Sequence, residues 1–246
     1  MNPPAATQRA VEKSAFLERL AQGRPLLLDG AMGTALIARG LDRSRQRAPE
    51  WSIERPEEVL AVHRAHVAAG AELVLTNTFL QPSAAECAAS LRLARESGAR
   101  FVGGSLYAGL VDLARCVRAL AGADVIWLET ATSVEQAERA AKVARGETSL
   151  PVVVTLAAGA SGDARAFEQA KRASLPPGSL LRGFNCGPWT SVPLARVLKL
   201  DAAGRDPAEW ARLLARSGAQ LVGGCCGATP AHIAALAREL SERDRA

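Results

Sequence analysis

Leu27-Leu28-Asp29-Gly30-Ala31-Met32-Gly33-Thr34 follows the first apolar run of the chain, and it decides between two α/β folds. An open, doubly wound sheet that binds a dinucleotide carries G-x-G-x-x-G at this point, so that backbone can approach a pyrophosphate. Here the spacing differs, and a carboxylate, Asp29, stands where the phosphate would have to come. The stretch instead suits a (β/α)8 barrel, in which side chains at the C-terminal ends of strands converge on one mouth.

Outward from it, apolar runs alternate with amphipathic ones. Eight strand candidates cover 25–29, 71–76, 100–105, 123–129, 151–156, 179–184, 196–200 and 219–223. Most are almost continuously apolar, as parallel strands covered on both faces should be. The seventh has the weakest strand signal, since it carries Arg196 and Lys199 within five residues. Helical patterns fall between them. Over 56–69, Val59, Leu60, Val62, His63, His66 and Val67 recur at helical spacing, and 83–98, 133–146 and 206–218 behave alike. Gly70-Ala71, Gly98-Ala99 and Gly218-Ala219 read as helix C-caps leading into strands. The expectation is one α/β domain over 1–246, a single TIM barrel with its core at about 25–239 and a helical extension at 1–24. The units after strands three, five and six are shortened: Ala108-Gly109 leads straight into a helix, 157–177 is brief, and 188–195 holds two prolines.

Apolar residues make up 48 % and charged residues 22 %, which is ordinary for a globular chain. The formal charge of +5 is spread over helix faces beside acids, with no basic run interleaved with aromatics, so no nucleic-acid partner is expected. No apolar stretch approaches the ~20 residues that span a bilayer, and the start of the chain lacks a signal-peptide pattern. The expectation is no membrane and a cytoplasmic location. Five cysteines, an odd number, then fit reduced thiols better than a disulfide framework.

The polar residues at strand ends are Asp29, Thr76, Asn77, Thr78, Glu129, Thr130, Asn185, Cys186, Cys225 and Cys226. Cys225 and Cys226 sit in Gly223-Gly224-Cys225-Cys226-Gly227, and Cys186 in Gly183-Phe184-Asn185-Cys186-Gly187-Pro188. Three thiolates from two strand ends suit zinc, with a fourth position open to a substrate thiol. By spacing alone, the pair Cys225-Cys226 also fits small buried hydrophobes or a vicinal-dithiol redox protein. Cys87 and Cys116 fall in helical patterns and read as core. Asp29 and Glu129 are charges at the ends of buried strands, costly unless used. Together they could receive an ammonium group, or cap local turns, and Glu129 could act as a base. His63, His66 and His232 lie within helices, away from the strand ends. Gly223-Gly224 also fits the phosphate site of a phosphosugar-type barrel, but cysteines are an odd choice there, and no lysine stands at a strand end for Schiff-base work unless the seventh strand presents Lys199.

Taken in order, Leu27 to Thr34, Thr76-Asn77-Thr78-Phe79, Glu129-Thr130, Asn185-Cys186 and Gly223 to Gly227 resemble the homocysteine S-methyltransferase family. Its members include methylmethionine- and betaine-dependent enzymes and the homocysteine domain of cobalamin-dependent methionine synthase. The resemblance implies a barrel with Zn2+ on Cys186, Cys225 and Cys226 that holds homocysteine as a zinc-bound thiolate and methylates it to methionine. It makes Asp29 and Glu129 the candidate catalytic carboxylates and, with Gly30, Thr78 and Asn185, the substrate-binding set. The donor would be S-methylmethionine, betaine, S-adenosylmethionine or a methylcorrinoid protein. The chain departs from the family beyond Tyr107, after Cys186, and at Leu200-Asp201-Ala202-Ala203-Gly204, where many relatives carry Pro-Asn. These trimmed parts border the mouth. They leave room for a large donor, an oligomer or partner subunit, and an alternative as a non-catalytic or complex-dependent homocysteine-binding subunit supplied by a corrinoid protein.

Overall fold

The computed structural model describes residues 14–157, 181–186 and 195–243. Eight parallel strands form one sheet: β1 (Leu26–Leu27), β2 (Leu73–Leu75), β3 (Phe101–Tyr107), β4 (Val125–Ala131), β5 (Val152–Ala157), β6 (Leu181–Asn185), β7 (Val197–Leu200) and β8 (Leu221–Gly224). The order β1-β8-β7-β6-β5-β4-β3-β2 curls back on itself. A bridge between Leu28 and Leu73, with Asp29 N–H donating to Leu73 O at 3.0 Å, closes the ring.

Among the described residues the α-helices are α1 (Ala15–Ala21), α2 (Met32–Ala38), α3 (Trp51–Glu54), α4 (Pro56–Ala68), α5 (Ala84–Glu96), α6 (Leu113–Ala119), α7 (Val134–Glu147), α8 (Pro207–Ala215) and α9 (Pro230–Arg243). Local chemistry fixes their starts. Ser83 accepts from Glu86 N–H while Glu86 reaches back to Ser83 N–H, a reciprocal cap on α5. Asp206 accepts from Ala208 and Glu209 N–H ahead of Pro207 at the first position of α8. On α7, Ala137, Ala140, Ala141 and Ala144 form the buried stripe, and side chains this small let the helix lie close on the sheet.

Two apolar layers follow from the alternation of the strands. One, with Leu26, Leu28, Leu73, Leu75, Val125, Trp127, Val153, Val197 and Leu221, fills the lumen. Phe16 and Leu20 of α1 join it, and Phe16 meets Phe101 edge-on at 5.7 Å. Arg19 ties this helix down through both oxygens of Glu72 and the carbonyls of Arg24 and Pro25. The N-terminal end of the barrel is thus plugged, which leaves the opposite end for chemistry. The second layer packs between sheet and helices and contains Leu106, Ile126, Leu128, Val154, Leu198, Trp210 and Leu236. The charged seventh strand belongs to this sheet, because its Lys199 is buried inside the barrel. The expected short unit after the third strand is a turn from Tyr107 that reaches α6 at Leu113. The expectations for 157–177, 188–195 and most of 1–24 fall largely outside the described residues.

Candidate metal centre

β6 and β8 flank β7, so their C-terminal ends lie one strand apart on the rim. Beyond β8 the backbone turns sharply. Cys225 N–H donates to Leu200 O and Ala202 N–H donates to Cys226 O, both at 2.8 Å. Gly227 has φ +73°, and a Cβ there would lie 2.5 Å from the backbone of Ala203, so only glycine serves. Cys186 also takes the left-handed region, at φ +56°, with its N–H on Lys199 O at 3.0 Å. Left-handed backbone at a non-glycine residue costs of order 1–3 kcal/mol, and here it aims the thiol toward β8.

The sulfurs of Cys186, Cys225 and Cys226 all lie within 4.8 Å of one another. Cys186 and Cys226 are 3.6 Å apart, while Cys186 and Cys225 are joined as a disulfide. The bonded pair is therefore not the vicinal one, and Cys226 keeps a free thiol. Burial raises the Cys226 pKa, and the negative charge of Asp201 adds to it. Two thiolates on one zinc at ~2.3 Å each sit about 3.8 Å apart in a tetrahedron. The Cys186–Cys226 spacing meets that, so the reduced trio fits a soft tetrahedral ion.

The two expected carboxylates are buried at the same mouth. β4 carries an extra residue between Leu128 and Ala131 relative to β5, and Thr130 in this irregularity has φ +63°. Such bulges re-aim side chains. Asn185 clamps it: Thr130 N–H donates to Asn185 Oδ1 at 3.0 Å, and Asn185 Nδ2 donates to Thr130 Oγ1 at 2.8 Å. Glu129, beside the bulge, accepts from Ser105 Oγ at 2.5 Å and from Lys199 Nζ at 3.3 Å. Asp29 Oδ2 accepts from Leu75 N–H at 2.8 Å. Its Oδ1 is buried and accepts no hydrogen bond among the described residues, with Lys199 Nζ 4.0 Å away. Burial pushes Asp29 up to about 7, against the lowering pull of Lys199 and the Leu75 N–H.

The rest of the expected set is placed as follows. A Cβ on Gly30 would meet Ala228 O at 2.5 Å, and its N–H donates to His66 Nδ1 at 3.3 Å. His66 is thus not remote from the strand ends. It supports the Asp29-Gly30 turn from behind, and burial lowers its pKa to about 4. The Thr78 hydroxyl donates to Ser105 O and shares a bond with Thr76 Oγ1, each at 2.6 Å, so it shapes the loop. Two members of the site were missed in the sequence. Ser105 lies at the end of the third expected strand, 100–105, and Lys199 within the seventh, where its charge in a short apolar run is the available signal. Cys87 and Cys116 are core, as expected.

A profile described as homocysteine S-methyltransferase matches residues 26–106 and 105–240. The rat S-methylmethionine–homocysteine S-methyltransferase BHMT2 is 30 % identical, over 93 % of this chain and 82 % of that protein. The zebrafish betaine–homocysteine S-methyltransferase 1 is 25 % identical, over 93 % and 76 %. The alignment with the rat protein runs over 302 residues against a chain of 246, so that relative carries insertions absent here. Among solved structures, the apo form of the homocysteine methyltransferase MmuM from Escherichia coli superposes with TM-score 0.71 at 24 % identity, covering 94 % of this chain and 100 % of that one. Its metallated form gives 0.68 at 23 %, covering 89 % and 97 %. The chain belongs to the homocysteine S-methyltransferase family.

Proposed function

We propose that this protein transfers a methyl group to the sulfur of homocysteine with zinc held by Cys186, Cys225 and Cys226. The observation that carries the reading is the trio of sulfurs within 4.8 Å on the same mouth as two buried carboxylates. Zinc, when bound there, supplies a Lewis acid that favours the thiolate form of a substrate thiol near neutral pH. The chain's own residues do the rest. Asp29 Oδ1, which accepts no hydrogen bond among the described residues, offers an acceptor for the substrate ammonium. Ser105 and Lys199 fix the Glu129 carboxylate beside it, and His66 and Ala228 hold the turn that carries Asp29. Holding the sulfur and the amino-acid head at separate points orients the sulfur toward the donor, which turns a collision into an aligned encounter.

For the donor we propose S-methylmethionine, because the rat relative at 30 % identity bears it in its name and the zebrafish betaine enzyme stands at 25 %. The test combines metal analysis with a donor panel. Purified reduced protein should hold about one zinc per chain, and Cys226→Ser should lose it together with methionine formation. Turnover with S-methylmethionine but not with betaine or a methylcorrinoid protein supports the donor. Metal-free protein that cycles a disulfide instead would remove the reading.

A further inference from the structure

Lys199 stands on β7, two strands from β1 and three from β4, yet its ammonium meets carboxylates of both. Only a side chain crossing the barrel interior can do that. Its Nζ has three protons to donate. One goes to Glu129 Oε2 at 3.3 Å. Asp29 Oδ1, at 4.0 Å, is beyond hydrogen-bonding range and accepts from no other group among the described residues. A buried acceptor without a hydrogen-bond donor thus lies beside a buried ammonium with donors to spare, an arrangement that costs free energy until both are met.

An α-amino acid carries, on one carbon, an ammonium that needs an acceptor and a carboxylate that needs a donor. We propose that Lys199 Nζ anchors the α-carboxylate of the substrate while Asp29 Oδ1 receives its ammonium, with Glu129 serving as the fixed counter-ion of Lys199. This rests on the homocysteine reading above and changes the expected division of labour, in which both carboxylates grip the ammonium. The charge balance favours it. Asp29 and Glu129 alone would select a simple amine, whereas a lysine between them turns the pocket toward a zwitterion and leaves an amine lacking a carboxylate unrewarded.

The test is calorimetric binding to the zinc-loaded protein of homocysteine, its decarboxylated analogue aminopropanethiol and its deaminated analogue mercaptobutanoate, with metal content measured in each sample. Lys199→Met should weaken homocysteine and mercaptobutanoate by about tenfold or more and leave aminopropanethiol unweakened. Lys199→Arg should restore part of the loss. If Lys199→Met binds homocysteine as tightly as the parent, or more tightly, the lysine only fills the pocket and the proposal is overturned. Should that variant not fold, the parent protein decides: no preference for homocysteine over aminopropanethiol also overturns it. A parent that holds zinc but binds none of the three thiols removes the homocysteine reading and this proposal with it.

Discussion

Asp29 shows how one residue couples position to charge. An unfolded aspartate titrates near 3.8, whereas burial holds this one at about 7 in the folded protein. Between those values the folded state binds more protons than the unfolded chain, so the contribution to stability is present below about pH 4 and is lost as pH climbs to about 7. Asp29→Asn should therefore flatten that part of the profile. In urea titrations of metal-free reduced protein, the parent should lose on the order of a few kcal/mol relative to the variant between pH 4 and 8. Parallel profiles would show that Asp29 ionises normally. An acid at the end of an apolar strand is legible in the sequence as a costly charge, although sequence alone leaves a turn-capping role open beside a binding one. Lys199 is less legible. A cation in a short apolar run reads as an argument against a strand, and the partners that keep it buried lie far away in the chain.

Among the elements, β4 carries a local distortion where its register with β5 shifts. Thr130 is β-branched and left-handed, a conformation that persists only where neighbours over-determine it. Asn185 from the end of β6 supplies the constraint by bonding both the backbone and the hydroxyl of Thr130. Asn185→Ala should cost about 1–3 kcal/mol in denaturant unfolding. Adding Thr130→Gly to that variant should recover about 1 kcal/mol, because glycine takes positive φ without strain. A double variant no more stable than Asn185→Ala would refute the clamp. Apolar runs mark most of the eight strands, and Gly-Ala caps mark the approach to β2, β3 and β8, since burial on both faces leaves a plain signature in sequence. The irregularity in β4 left none, because Glu129-Thr130-Ala131 satisfies strand composition whether or not an extra residue is looped out. The clamp by Asn185 is equally silent in sequence: its amide bonds Thr130, and its Nδ2 also lies 4.0 Å from Cys225 Sγ.

At the scale of the whole molecule, the barrel gathers three thiols that the chain keeps far apart, and it admits two incompatible uses for them. Cys186 and Cys225 can be joined to each other, as they are here, or they can contribute with Cys226 to one ion, but not both. Metal affinity should accordingly depend on reduction. A ligand that binds only the folded state stabilises by about 4 kcal/mol at a thousandfold excess over its dissociation constant. Protein treated with a disulfide reductant should gain stability of that order when zinc is added, with the gain abolished by a chelator. Oxidised protein should gain little, because two of the three donors are then occupied. Guanidinium unfolding curves with and without zinc, run on both redox forms, measure it directly. An equal gain in the two forms would place the ion elsewhere on the chain. A gain in the reduced form that survives Cys226→Ser would mean that Cys186 and Cys225 hold it without the third sulfur.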